Sequence, residues 1–136
     1  MNEINQPFIS CIMPTYNRRA FVARAVEYFL RQDYEDKELI VVDDGEDAIG
    51  DALPQDERVR YVRLKERQTV GAKRNLACEQ ARGDIIAHWD DDWHAPHRLR
   101  YQVEALQREK AEMCGINRLL FYDPERAEGW RFLISS

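Results

Sequence analysis

Asp90, Asp91 and Asp92 place three carboxylates directly behind the apolar stretch Ile85-Ile86-Ala87-His88-Trp89. A buried strand that delivers like charges to one point is electrostatically unfavourable unless a cation or a well-hydrated site receives them. Side chains alternate faces along an extended segment, so Asp90 and Asp92 are expected on one side and Asp91 on the other. That pair offers hard oxygen ligands to Mg²⁺ or Mn²⁺, ions that keep open positions for water and phosphate oxygens. The competing reading is a solvated acidic turn capping the next helix. His88, His94 and His97 are expected in packing and helix-start roles, with His94 the best placed of the three to join a metal. Trp89 and Trp93 bracket the acids and are expected to pack as core or wall.

Two more polar clusters follow apolar segments in the same way. Pro14-Thr15-Tyr16-Asn17-Arg18 comes after Phe8 to Met13, and Asp43-Asp44-Gly45 comes after Glu38-Leu39-Ile40-Val41-Val42. The elements that must position these groups alternate in period. Phe21, Val22, Ala25, Val26, Phe29 and Leu30 recur with helical spacing, and Phe21, Tyr28 and Phe29 read as core. A short helix is expected from Ala48 to Leu53, stopped by Pro54. Val59 to Leu64 reads as a third strand. Ala72, Leu76 and Ala77 mark a helix that ends before Gly83, a residue suited to the left-handed position after a helix. Asp84 to Trp89 reads as the fourth strand, and Pro96 opens a helix with Leu99, Val103 and Leu106 as its apolar stripe. Met113 to Tyr122 is a candidate fifth strand, after which the pattern fades.

This alternation predicts an α/β fold with a mostly parallel, Rossmann-like sheet flanked by helices on both faces. Ligands of such sheets sit outside the carboxyl ends of the strands, where strand order reverses. The three polar clusters each follow a strand, so all three are expected on one rim.

The chain has 136 residues and a formal net charge of -5. That length suits a single domain over 1–136, and the charge balance excludes nucleic acid as the expected partner, since phosphate neutralisation needs clustered Lys and Arg. The succession Arg58, Arg60, Arg63, Lys65, Arg67 reads as a solvent-facing edge. Glu3 interrupts a short apolar start, so neither a signal peptide nor a transmembrane segment is expected, and the predicted location is cytoplasmic. Cys11, Cys78 and Cys114 have no CxxC spacing and read as small buried hydrophobes. No GxGxxG follows the first strand and no GxxxxGK[ST] occurs. A phosphate would then be held by a divalent metal on the triple aspartate, assisted by Lys73 or Arg74 near the start of a helix.

In four ordered segments the chain resembles the family 2 glycosyltransferases of GT-A fold. These segments are Pro14-Thr15-Tyr16-Asn17-Arg18, Glu38 to Gly45, Gly71-Ala72-Lys73-Arg74-Asn75 with Ala77 and Ala81, and Gly83-Asp84 leading to Asp90-Asp91-Asp92-Trp93. The resemblance implies that Pro14, Thr15, Tyr16 and Arg18 line the nucleobase and ribose pocket, with Tyr16 packing on the base. It implies that Asp44 accepts from the base, that Asp43 is structural or near the ribose, and that Lys73 and Arg74 lie beside the donor. Asp90 and Asp92 match the outer acids of a DxD motif, Asp92 as the direct metal ligand, and Asp91 faces the ribose or donor sugar. Glu46-Asp47 departs from the Ser-Thr-Asp common after the glycine.

The implied activity is transfer of a sugar, with inversion, from a nucleoside-diphosphate donor, UDP-linked by expectation, to a saccharide or lipid-linked acceptor, with Mn²⁺ or Mg²⁺. The general base and the acceptor half are expected downstream of Ser136. Asp123, Glu125 and Glu128, beside Pro124, read as a solvated turn. Leu119, Leu120, Phe121, Trp130 and Phe132 suggest self-association through the C-terminal tail. The alternatives are a module that binds nucleoside diphosphates without turnover and a metal-dependent nucleotidyltransferase; the missing glycine-rich phosphate loop speaks against the latter.

Overall fold

The structure is a computed structural model that describes residues 6–134; Glu3 and Ser136 lie outside the described residues. The chain divides into two compact units, one ending at Leu99 and one beginning at Arg100. In the first, β1 (Ile9–Thr15), β2 (Lys37–Asp43), β3 (Val59–Arg63) and β4 (Ile85–His88) form one sheet in the order β3-β2-β1-β4, every neighbouring pair parallel. The order reverses between β1 and β4. Helix α1 (Arg19–Leu30) links β1 to β2, and α2 (Val70–Gln80) links β3 to β4. The second unit holds most of α3 (Arg98–Glu109) and an antiparallel hairpin, β5 (Arg118–Asp123) with β6 (Glu128–Leu133).

Burial follows the pleat. Ile12, Ile40 and Val42 pack with Ala77 of α2 on one side of the sheet, with Val62, Leu64, Leu76 and Ala81 around them. The alternate residues Cys11, Met13, Leu39 and Val41 are equally buried, as are Val22, Ala25, Val26 and Phe29 of α1. Phe21, on the same helix, is exposed, because it precedes the buried stripe by one position; the Arg18 guanidinium lies 4.2 Å from its ring centre. Tyr28 is half-buried. Of the cysteines only Cys11 is buried; Cys78 and Cys114 are exposed, which corrects their reading as interior residues. The helix expected from Ala48 to Leu53 is a single 3₁₀ turn, Gly50–Ala52. The fifth strand is a hairpin strand apart from the parallel sheet, and its partner β6 carried no periodic signal because both strands are solvent-exposed almost throughout. Asp123 Oδ1 accepts from the Glu125 backbone N–H at 2.9 Å and so closes the hairpin turn. Among the described residues no helix is long and apolar enough to cross a membrane.

Gly83 serves another purpose than the one its sequence suggests. No glycine has positive φ among the described residues. A Cβ on Gly83 would stand 2.6 Å from the Ser10 backbone nitrogen and 2.7 Å from the Phe8 carbonyl oxygen, so the residue lets the chain pass close against β1.

That passage is fastened by Glu38, buried at the amino end of β2. Its carboxylate accepts from Ser10 Oγ at 2.7 Å, the Arg82 backbone N–H at 2.9 Å, Arg82 Nη2 at 2.8 Å and Arg60 Nη1 at 3.0 Å. Burial pushes this carboxyl up, but the hydrogen bonds from Ser10, Arg82 and Arg60 outweigh it and bring its pKa from the ordinary 4.5 down to about 2. A depressed folded-state pKa contributes stability that is present above the unfolded value and lost as pH falls toward the folded one. The shift corresponds to about 3 kcal/mol. In urea unfolding from about pH 5 down to pH 2, Glu38→Gln is therefore expected to lose less stability than the parent; parallel pH profiles would refute this role.

Candidate functional site

The carboxyl ends of β1 and β4 lie side by side at the switch in strand order, the position where α/β sheets receive ligands. The chain leaves β1 through Thr15, Tyr16 and Asn17. Asn17 adopts a left-handed φ of 51°, tolerable for an asparagine, and its Oδ1 accepts from the Asp47 backbone N–H at 3.1 Å. Gly45 is required here, because a Cβ would fall 2.6 Å from Asn17 Oδ1 and 2.7 Å from its backbone nitrogen. Arg19 clamps the same loop through Asp47 at 2.6 Å and Asp51 at 2.9 Å. Pro14 is half-buried within β1. Tyr16 is half-buried too, with the Arg67 guanidinium 4.3 Å from its ring centre.

Asp43 ends β2 and Asp44 follows it, both buried acceptors with their oxygens engaged. Asp43 takes the Gly45 N–H at 2.9 Å, the Ile49 N–H at 3.2 Å and the Tyr61 hydroxyl at 2.7 Å, with Arg63 3.3 Å away. Asp44 takes Lys73 Nζ at 2.7 Å and the Gln68 N–H at 2.6 Å. Burial pushes the Asp44 carboxyl up, and the Gln68 and Lys73 hydrogen bonds outweigh it, so its pKa lies below the ordinary value. Lys73 is itself buried and also donates to the Thr15 carbonyl at 3.0 Å. This lysine therefore binds β1 and β2 together from α2. Thr15 Oγ1 and Arg74 Nε are buried without a hydrogen-bond partner.

The acidic run departs from the expected strand geometry. β4 ends at His88, so the pleat does not reach Asp90, Asp91 or Asp92 and their faces are set by partners instead. Asp91 is ion-paired with Arg18 across the switch point. Asp90 stands 3.4 Å from Arg74 Nη2. Asp92 is exposed. What anchors the run is Trp89, fully buried, whose Nε1 donates to the Ala25 carbonyl at 2.9 Å and whose backbone N–H donates to Ile12. Phe29 meets it edge-on at 6.2 Å and His94 stacks on it at 3.9 Å. His94 is committed at both nitrogens: Nδ1 lies 2.9 Å from Arg98 Nη1 and Nε2 lies 2.9 Å from the Asp90 carbonyl. With the guanidinium donating to Nδ1, the ring is the neutral tautomer that donates from Nε2, and burial lowers its pKa. Trp93, by contrast, is 67% exposed and belongs to no core.

Arg67, read as part of a solvent-facing edge, instead lies over the Tyr16 ring, and sequence reasoning missed Gln32 and Arg98 altogether. Gln32 Nε2 donates to the Ala95 carbonyl at 2.7 Å and its Oε1 accepts from the Leu99 N–H at 3.1 Å, which ties the end of α1 to the loop behind the acids. Arg98 also donates to the His88 carbonyl at 2.9 Å. These are single polar residues acting at long range, and no local pattern marks them.

Among the described residues no group of three or more His, Cys, Asp or Glu side chains is assembled as a metal cage. The donor set nevertheless fits a hard divalent ion. Mg²⁺ and Mn²⁺ are commonly held by one or two carboxylates, with water and substrate phosphates completing the shell. Asp92 is open to solvent and the Arg74 contact with Asp90 is long.

A four-stranded parallel sheet of this kind is shared with solved transferases of GT-A fold. Residues 10–134 match the family described as Glycosyl transferase family 2, and the chain belongs to it. It is 35% identical over 106 residues to an uncharacterized glycosyltransferase of Haemophilus influenzae, a match that covers 74% of this chain and 42% of that protein. Among solved structures it is similar to a mannosyltransferase from Pyrobaculum calidifontis in complex with GDP-Man and Mn²⁺, with TM-score 0.70 and 27% identity over 76% of this chain and 33% of that one. S. aureus TarS in complex with UDP-GlcNAc shares the fold, with TM-score 0.69 and 24% identity over 81% of this chain and 35% of that one. The chain thus spans less than half the length of these relatives.

Proposed function

We propose that this chain binds the nucleoside-diphosphate end of a nucleotide sugar at the β1/β4 rim, as part of an inverting transfer to a saccharide or lipid-linked acceptor hydroxyl. The observation that carries the reading is the Arg18–Asp91 ion pair, which brings the cluster behind β1 onto the acidic run behind β4. Tyr16 offers the aromatic face for the base. Asp43 and Asp44 act by fixing the pocket floor through Lys73, Gln68 and Tyr61, their oxygens being taken within the chain. Arg18 and Arg74 supply positive charge for the diphosphate. Asp90 and Asp92 would hold Mn²⁺ or Mg²⁺, which when bound supplies charge stabilisation to the departing diphosphate. The acceptor needs a general base on the opposite face of the sugar; none is assigned within residues 6–134, where Asp123 is engaged in the hairpin turn. Both compact units are proposed to serve one domain, since the family match runs across them. The proposed location is the cytoplasm, in keeping with three free cysteines.

The proposed base is uracil, and the GDP-Man complex of the similar mannosyltransferase makes guanosine diphosphate the second arm of the test. In calorimetry, UDP is expected to bind about tenfold or more tightly with Mn²⁺ present, a typical coupling between linked ligands. Asp92→Ala is expected to abolish that enhancement. Equal affinity with and without metal for both nucleotides would refute the reading.

A further inference from the structure

Two of the three acids on the rim are already neutralised by the chain's own cations, Asp91 by Arg18 and Asp90 by Arg74. Both pairs reach water, the first mainly through its arginine: the side chains of Arg18 and Asp91 are 46% and 16% accessible, those of Arg74 and Asp90 37% and 49%. Ion pairs this exposed contribute little to stability, so exchanging their partners is cheap. Asp92 is left as the exposed member of the run. Arg74 is also incompletely satisfied, since its Nε is buried without a partner. A guanidinium presents five donors in a fixed fork suited to phosphate as well as to carboxylate.

Resting on the functional reading above, we propose that Arg18 and Arg74 are exchangeable counter-ions. They hold Asp91 and Asp90 when the rim is empty and pass to the diphosphate oxygens when a divalent ion on Asp90 and Asp92 supplies the positive charge beside those carboxylates. Metal and nucleotide then bind as a coupled pair. A divalent ion arriving alone takes Asp90 from Arg74 and sets its charge beside the Arg18–Asp91 pair, leaving the guanidinium groups short of an anion. A diphosphate arriving alone meets a patch of three carboxylates and two cations, already negative in sum. When both arrive, Asp90 and Asp92 hold the ion, Asp91 lies beside its charge, and each guanidinium faces phosphate, so every charge has a counter-charge. Thermodynamic linkage requires the effect to be reciprocal: nucleotide strengthens metal binding by the same factor that metal strengthens nucleotide binding.

The test measures binding of MnCl₂ alone, UDP or GDP alone, and each in the presence of the other, on the full 136-residue chain by calorimetry, with electron paramagnetic resonance counting free Mn²⁺. The parent is expected to bind Mn²⁺ weakly by itself and roughly tenfold to a hundredfold more tightly with saturating nucleotide. Arg18→Gln frees Asp91, so its affinity for Mn²⁺ alone is expected to rise about threefold, in line with the small strength of exposed pairs, while the coupling factor falls. Arg74→Gln, on a different helix and facing a different acid, is expected to move both quantities the same way. In an Asp91→Asn background, Arg18→Gln should leave the affinity for Mn²⁺ alone unchanged. If both arginine variants keep the parental coupling factor, or bind Mn²⁺ alone less tightly, the exchange is overturned and the functional reading stands. If the parent binds neither nucleotide with Mn²⁺, the functional reading falls and the exchange with it.

Discussion

Asp44→Ala is expected to destabilise the protein by about 3–5 kcal/mol, because it leaves Lys73 as a buried charge without its carboxylate. The pair is closed on all sides: the side chains of Lys73 and Asp44 are 5% and 0% accessible and their charged atoms are 2.7 Å apart. The Gln68 backbone N–H would lose its acceptor in the same step. Against a typical total of about 5–15 kcal/mol for a folded domain, such a loss removes much of the margin. The measurement is urea unfolding of Asp44→Ala beside the double variant Asp44→Ala/Lys73→Met. A buried ion pair replaced as a unit by apolar groups is tolerated far better than one with a single partner removed, so the double variant should recover part of the loss. Equal stability of single and double variants would refute the pair as the cause. The pH dependence has a definite sign as well. The Asp44 carboxyl is held below its ordinary value, so its contribution is present above the unfolded-state pKa and fades as pH falls through the folded one.

Trp89→Ala is the second large effect, expected to cost about 3–5 kcal/mol through loss of a wholly buried aromatic side chain. Its consequence reaches further than stability, because Asp90 follows it directly in the chain and His94, stacked on its ring, holds the Asp90 carbonyl. At a temperature where the variant is still folded by circular dichroism, its Mn²⁺-dependent nucleotide binding is expected to be weaker than that of Trp89→Phe, which keeps most of the packing and loses the hydrogen bond to Ala25. A folded Trp89→Ala that binds like the parent would show that the acids position themselves.

Both effects centre on contacts that were invisible in the sequence, whereas the scaffold around them was legible. Strands β1 and β2 were readable because they are buried on both faces and so form continuous apolar runs, while β3 and β4, only partly buried, were readable from their place in the alternation with helices. Their ends were less so: Lys37 and Asp43 extend β2 beyond its apolar stretch because hydrogen bonding, not hydropathy, sets the limit. Residue type misled where an apolar residue lay in solvent, as at Phe21, with Arg18 against its ring, and at Trp93. The three polar clusters could be assigned to one rim from strand alternation alone. Which acid meets which base could not: Lys73 bonds to Thr15 across 58 positions of sequence and Arg18 to Asp91 across 73, separations that no periodicity encodes.

Strand β2 carries Glu38 at its amino end and Asp43 at its carboxyl end, about 16 Å apart at the usual rise per residue. Substitutions separated by more than about 7–10 Å and sharing no partner add almost independently. The knot of Ser10, Arg60 and Arg82 around Glu38 can therefore serve as a thermostat at one pole of the sheet, lowering or raising the melting point by graded replacement, while the opposite pole keeps its ligand affinity. That separation gives an engineer a way to adapt the scaffold to acid or heat without retuning the rim where recognition takes place.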